Sequence, residues 1–173
     1  MDAQKFGNLF GPYLPTGGRW QALSDGTVDR LDVSHSDRAV GIVIRLPGLV
    51  AAETLFAAEK EVAAALHMTS AAIRPVFPGE LLGDDAGWPS LTEHLRRRNV
   101  AVNGTLDDAR FALEGDVLTV ECVHGGTNIL SATGTESLLE GLIYEQFGRR
   151  VKGTFAGEDV PCDDAHNRQM QRQ

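Results

Sequence analysis

The sequence lacks the features that mark secreted and membrane-spanning proteins. It has two cysteines in 173 residues, too few for the disulfide framework of a small secreted domain. Its longest apolar runs fall far short of the ~20 residues that a membrane-spanning helix needs. Its first residues carry no charged-then-apolar signal pattern. We therefore expect a cytoplasmic protein that has no membrane partner.

Positive charge is also scarce, because 16 lysines and arginines stand against 24 aspartates and glutamates, for a net charge of −8. Nonspecific binding to duplex nucleic acid needs a broad cationic surface that neutralises phosphates. The charge balance therefore disfavours such binding, although it leaves room for a local basic patch. Hydrophobic residues make up 42% of the chain, which is enough for one or two small packed domains.

Catalytic signatures are missing as well. His124-Gly125-Gly126 is similar to the glycine-rich oxyanion loop of some esterases, but no Gly-x-Ser-x-Gly motif supplies a nucleophile. No phosphate-binding loop of the Walker or dinucleotide type occurs. Zinc-type ligands form two pairs, Cys122 with His124 and Cys162 with His166, but the second pair lies in a polar tail. We expect no catalytic residue, no metal site and no cofactor in this chain, and a buried thiol at Cys122.

What the sequence does contain is one small α+β pattern that occurs twice. Residues 28–77 predict strand, strand, helix and strand, and residues 109–155 predict the same order with one additional helical segment. A short helical stretch precedes each copy. We expect two small modules, each with a three-stranded, partly antiparallel sheet covered by helices. A doubled unit of this kind without catalytic motifs favours a binding or docking function.

The first copy is predicted from the spacing of its apolar residues. Residues 40–46 alternate with the period of a half-buried strand, and residues 30–34 precede them as the other strand of a hairpin. An apolar stripe at helical spacing runs through residues 52–66. Alternation returns in residues 71–77, which predict the third strand.

The second copy follows the same logic. Two capping-box patterns, Ser90 to Glu93 and Thr133 to Glu136, predict the starts of two helices. Between them, residues 110–113 and 117–123 predict a hairpin in which Leu118, Val120 and Cys122 share one face. Residues 127–132 predict a short helical turn, and Val151 to Phe155 the last strand.

These patterns predict the domain boundaries. The first module covers residues 1–78 and the second covers residues 90–158. Residues 79–89 are rich in proline and glycine, so we expect a linker there. Residues 159–173 are polar and predict a flexible tail.

The basic residues form two clusters that are candidates for nucleic-acid binding. Arg96, Arg97 and Arg98 end the first helix of the second module, where cations also complement the helix dipole. Arg149, Arg150 and Lys152 come just before the last strand. Together they could contact the phosphates of a single strand, but few aromatic residues accompany them for base stacking.

Extended stretches of the sequence resemble the N-terminal region of PolC-type DNA polymerase III alpha subunits, the replicative polymerases of Gram-positive-type bacteria. The stretches are IRLPGLVAAETLFAAEKEVAAAL (residues 44–66), AAIRPVFP (71–78), LEGDVLTVECVHGGTNIL (113–130) and EGLIYEQFGRRVKGTFAGE (140–158). The resemblance covers residues 5–158. It implies a noncatalytic part of a DNA-directed DNA polymerase whose polymerase and 3′–5′ exonuclease segments are absent from this chain.

The resemblance also implies a fold and a partner. The family's first module is a truncated KH-like domain, similar to the clamp-loader tau domain that engages the polymerase. The second is KH-like, and the element order of residues 90–157 resembles a type II KH domain. KH domains clamp nucleic acid with a Gly-x-x-Gly loop, whereas Ser131 to Glu136, at that position, contain only Gly134.

Two functions therefore remain open. The leading hypothesis is a replisome protein-interaction module that engages the clamp-loader tau subunit during DNA replication. The alternative is a KH-like module that binds single-stranded nucleic acid through the two basic clusters.

Overall fold

The computed structural model describes residues 4–99, 102 and 104–157, and the chain divides into two compact units. Unit 1 comprises the described part of Met1–His94 together with Glu140–Val151. Unit 2 comprises the described part of Leu95–Leu139 and Lys152–Gln173. Both units contain helices and a small sheet, so the predicted α+β class is confirmed. The predicted tail at residues 159–173 lies outside the described residues.

The described residues form seven strands, five α-helices and three 3-10 helices. The strands are β1 Gln4–Lys5, β2 Thr27–Ser34, β3 Ala39–Arg45, β4 Ser70–Val76, β5 Arg110–Glu114, β6 Val117–Glu121 and β7 Lys152–Ala156. The α-helices are α1 Phe6–Phe10, α2 Ala52–Ala65, α3 Gly87–Arg98, α4 Thr127–Ala132 and α5 Thr135–Phe147. The 3-10 helices are Gly11–Tyr13, Arg19–Leu23 and Gly79–Gly83.

The sheet of unit 1 has the order β1-β2-β3-β4. The predicted hairpin is confirmed, since β2 and β3 are antiparallel, and β4 then runs parallel to β3. The prediction of three strands is wrong by one, because Gln4 and Lys5 pair with Val28 and Thr27. Two residues are too few to show a strand period in the sequence, so β1 arises from tertiary pairing alone.

The core of unit 1 is formed by the two periodic patterns seen in the sequence. On β3, every second residue is buried, and Val40, Ile42 and Ile44 are all at most 3% exposed. On α2, residues at helical spacing such as Leu55 and Val62 are fully buried. Each such side chain contributes about 1.5–3 kcal/mol on removal from water. The helix packs against β4 and against the 3-10 helix Arg19–Leu23.

The start of α3 corrects the first capping-box prediction. The helix begins at Gly87 rather than after Ser90. Pro89 is tolerated in the first turn of this helix, because the backbone N–H that proline lacks would have no partner within the helix there. Pro89 therefore lies inside the helix and Ser90 is no longer its cap. Instead, the Ser90 hydroxyl accepts a hydrogen bond from the backbone N–H of Ala52, the first residue of α2, at 2.6 Å.

The sheet of unit 2 has the order β5-β6-β7, with β5 antiparallel and β7 parallel to β6. The predicted shared face is confirmed, since Leu118, Val120 and Cys122 are at most 2% exposed. The thiol of Cys122 is therefore buried, as expected. The backbone N–H of Cys122 continues the β6–β7 pairing by donating to the Ala156 carbonyl at 2.7 Å.

The start of α5 corrects the second capping-box prediction. The helix begins at Thr135, so Thr133 lies before it in the turn that follows α4. The Thr133 hydroxyl donates to the Ile129 carbonyl at 2.8 Å, and Glu136 accepts from the Ser131 hydroxyl at 3.0 Å. Both side chains of the predicted box thus bond to α4, because the turn between the two helices is short.

Candidate functional site

One concave surface of unit 1 is a groove beside the C-terminal half of α2. Its volume is about 610 Å³, and its lining residues are Tyr13, Leu14, Pro15, Lys60, Glu61, Ala64 and Ala65. The wall facing α2 is apolar, and Tyr13 is 67% exposed although it is aromatic. Small side chains at Ala64 and Ala65 leave the floor open. Such a groove can accept apolar side chains of a partner.

The wall of this groove is held to α2 by a short hydrogen-bond chain. The Glu61 carboxylate accepts from the backbone N–H groups of Arg19 and Trp20, at 2.9 and 3.0 Å. The Trp20 indole N–H then donates to the Pro15 carbonyl at 2.7 Å. Hydrogen bonds to a charged group are worth about 1.5–3 kcal/mol each. The groove is therefore shaped before any partner arrives, which lowers the entropic cost of binding.

A second groove lies farther toward the N-terminus of α2. Its volume is about 500 Å³, and it is lined by Glu53, Phe56, Ala57, Lys60 and Glu93. The Phe56 ring packs edge-on against His94, with 5.1 Å between ring centroids. Lys60 lines both grooves, so they adjoin along one side of the helix. We call the two together the α2 surface.

The charge of the α2 surface restricts what it can bind. Glu53 and Glu93 line the second groove and Glu61 the first, while Lys60 lies where they meet. The acidic groups favour a partner that carries basic residues beside its apolar ones. Among the described residues, no three metal-ligating side chains come together.

The basic cluster at the end of α3 lies in unit 2. Arg96 is half-buried and its guanidinium pairs with Asp107, whereas Arg97 and Arg98 are exposed. All three stand in the last turn of the helix, where positive charge complements the dipole. Their placement fits a role in stabilising the end of the helix.

The other basic cluster is divided between the units. Arg149 and Arg150 belong to unit 1, and Lys152 belongs to unit 2 at the start of β7. The Arg150 guanidinium lies over the Tyr144 ring, 5.3 Å from its centroid. Such a cation–π contact is worth about 0.5–1 kcal/mol at an exposed site. The six predicted residues therefore do not form one cluster within a single unit.

The turn between α4 and α5 contains the single glycine of residues 131–136. Gly134 has a φ of +70°, a conformation that glycine adopts without steric cost. The Asn99 amide donates to the hydroxyls of Thr133 and Thr135, at 3.2 and 2.9 Å. The turn is thus tied down by side-chain hydrogen bonds, and its single glycine is used for helix reversal.

The sequence carries only weak signals of the α2 surface. The spacing of Tyr13 from Phe6 and Phe10 is typical of one helical face, yet Tyr13 is exposed because α1 ends at Phe10 and the chain continues as a 3-10 helix. The run of alanines after Val62 is the one sign of a groove floor. Neither pattern identifies a groove until the two segments are brought together.

Comparisons with known proteins found no matching protein family, no matching curated protein and no matching solved structure. Among the residues described, no helix is both long enough and apolar enough to span a bilayer.

Proposed function

We propose that this chain is a noncatalytic docking module from the N-terminal region of a PolC-type replicative DNA polymerase. The observation that carries the proposal is the α2 surface, a preformed apolar groove with an exposed Tyr13 and an acidic rim. Exposed aromatic residues beside open apolar grooves are typical of protein-binding surfaces. The polymerase and exonuclease activities, with their metal ions, belong to other parts of the proposed parent protein.

The fold supports the proposal at the level of element order. From α3 to β7 the chain runs helix, strand, strand, helix, helix, strand, which is the order of a type II KH domain. Unit 1 has the strand, strand, helix, strand core of a truncated KH-like domain, to which β1 adds two residues. These element orders are compatible with the tandem KH-like modules that the resemblance implies.

The proposed partner is the clamp-loader tau subunit, and the proposed location is the cytoplasm, where the replisome works. A tau segment that presents apolar side chains flanked by lysine or arginine would suit the α2 surface, because Glu53 and Glu93 provide the opposite charge. Binding of this kind depends on shape and apolar burial. It therefore weakens only modestly with added salt.

The experiment titrates purified tau into the fluorescently labelled chain and compares two variants. Ala64→Arg places a long cation in the first groove, at an exposed helical position that tolerates it. Ala86→Arg adds the same group at an exposed loop position outside both grooves. We expect Ala64→Arg to raise the Kd at least about tenfold and Ala86→Arg to leave it unchanged. No saturable binding, or equal effects of the two variants, would contradict the proposal.

A second candidate function is single-strand nucleic-acid binding by unit 2, favoured by the exposed Arg97 and Arg98 beside a KH-like element order. Anisotropy of a labelled single strand of about 20 nucleotides, measured at low and moderate salt, separates the two functions. Phosphate contacts make affinity fall steeply with salt. Weaker binding of the double variant Arg97→Glu, Arg98→Glu would place those residues in the site, and unchanged affinity would remove them.

A further inference from the structure

The two edges of the unit 1 sheet differ in the groups that bond to their outer backbone atoms. On the β4 edge, the buried Glu59 carboxylate on α2 accepts from the backbone N–H of Ile73 at 2.8 Å. The β2 edge is covered only where β1 pairs with Thr27 and Val28. Beyond Val28, β2 has no strand partner on its outer side among the described residues. Within the part of the chain that the structure describes, a row of backbone hydrogen-bonding groups is therefore available on this edge.

The apolar residues of the open edge point toward the core side of the sheet. Leu31 pairs with Ile42 and Val33 with Val40, and directly opposed residues share a face. Ile42 and Val40 are buried, whereas Leu31 and Val33 are 47% and 45% exposed. The core face thus continues onto β2, where no described residue buries Leu31 or Val33. A strand added at this edge would bring apolar side chains beside Leu31 and Val33.

The charges on the edge strand are self-complementary. Arg30 and Asp32 flank Leu31 and form an exposed ion pair at 2.8 Å. In an antiparallel pairing centred on Leu31, each Arg30 lies opposite Asp32 of the other copy. Centring on Arg30 or on Asp32 instead places like charges directly opposite, which is unfavourable. The pairing on Leu31 also keeps Leu31 and Val33 of both copies on one face of the combined sheet.

We propose that the exposed edge of β2 binds a second copy of this chain, through antiparallel pairing of residues 29–33 with the same residues of the other copy about a two-fold axis at Leu31. We choose a second copy as the occupant because the order Arg30, Leu31, Asp32 is complementary in charge to the same three residues running in the opposite direction. Such a C2 interface uses the same surface on both partners. It is smaller than the standard interface of about 1,200–2,000 Å², so the dimer is weak and depends on concentration.

The experiment measures the average mass of the full chain by sedimentation equilibrium from about 1 µM to about 1 mM, a range that covers weak association. We expect the unchanged chain to pass from monomer to dimer within it. Arg30→Asp sets the new aspartate against Asp32 of the other copy, and Asp32→Arg sets the new arginine against Arg30. Each single variant is therefore expected to raise the dimer Kd at least about tenfold. Asp85→Arg changes an exposed loop charge elsewhere and should dimerise as the unchanged chain does.

The decisive measurement mixes the two single variants. In the mixed pair every aspartate lies opposite an arginine, so the Kd of the heterodimer returns to that of the unchanged chain. An unrelated surface does not give this rescue. A parallel in-register pairing, or a pairing centred on Arg30 or Asp32, already opposes like charges in the unchanged chain, so it does not give normal dimers that the single variants then weaken. The proposal is overturned if the unchanged chain stays monomeric at all concentrations, if the single variants dimerise normally, or if mixing them restores nothing. Circular dichroism of each variant, expected to match the unchanged chain, confirms that these exposed positions leave the fold intact.

Discussion

The hydroxyl of Ser90 lies 2.6 Å from the backbone nitrogen of Ala52, 38 residues earlier in the chain. The first N–H groups of a helix have no partner within the helix, and α2 has no capping side chain at Ala51. Ser90 on α3 therefore acts as the cap of α2, because its hydroxyl accepts a hydrogen bond from one of the first N–H groups of that helix. The contact joins two helices of unit 1 at the point where α2 begins.

Replacing Ser90 with alanine should destabilise unit 1 by about 0.5–2 kcal/mol, the usual cost of losing a helix cap. Urea unfolding followed by circular dichroism measures the change. Ser137→Ala, at an exposed position on α5, is the matched control and should cost less. Amide hydrogen exchange gives the sharper result, since Ser90→Ala should speed exchange at Ala52. Faster exchange at Glu93 instead would support the capping box predicted from the sequence.

Glu59 should be more important as a hydrogen-bond acceptor than as a charge. It is 4% exposed and accepts from the backbone N–H of Ile73. Glu59→Gln keeps an oxygen for this N–H, whereas Glu59→Leu has similar bulk and leaves a buried donor without its acceptor. We expect the free energy of unfolding of the leucine variant to be about 1–3 kcal/mol lower than that of the glutamine variant. Equal stability of the two variants would show that the N–H finds another partner.

Thr135 should stabilise unit 2 through its hydroxyl. The side chain is fully buried, and its oxygen accepts from the Asn99 amide at 2.9 Å. Thr135→Val keeps the shape and removes the acceptor, so we expect a loss of about 1–3 kcal/mol in the free energy of unfolding. Thr154→Val, exposed on β7, is the control and should be nearly neutral. A loss no larger than that of the control would contradict the assigned hydrogen bond.

Leu142 tests the buried face of α5. It is 1% exposed, so Leu142→Ala should cost about 2–5 kcal/mol, the range for deleting a buried leucine side chain. Tyr144, two residues later on the same helix, is 51% exposed and contacts the Arg150 guanidinium. Tyr144→Ala should therefore cost about 0.5–1 kcal/mol. Thermal unfolding of the two variants compares the faces, and similar losses would refute the assignment.

Much of the fold follows from local periodicity. The alternation in residues 40–46 and 117–123 predicts β3 and β6, and the apolar stripe of residues 52–66 predicts α2 to within one residue of its observed end. These segments bury one face, so their apolar residues recur in the sequence with the period of a strand or a helix. The two capping boxes fail for a different reason. Ser90, Thr133 and Glu136 bond to groups outside the helix that each box would start, and the nearest acceptor or donor in space decides which bond forms.

The α2 surface is beyond the reach of local patterns. It requires Tyr13 to Pro15 to lie beside residues 60–65, and the sequence separation between them is large. The hydrogen bonds from Arg19 and Trp20 to Glu61 that hold them together join segments about 40 residues apart. A glutamate on a helix shows no sign in the sequence that it will accept two distant backbone N–H groups.

Residue type and spacing within single segments are enough to establish the α+β class, both hairpins, the buried faces of α2 and β6 and the acidic charge. The parallel pairings of β4 and β7, the two-residue strand β1, the start of α3 and the open edge at Leu31 emerge only when the chain is folded. Each of these depends on which distant segment supplies a hydrogen-bond partner. The period of the apolar residues determines which face of a helix or strand is buried. The pairing of distant segments determines which part of the chain covers that face.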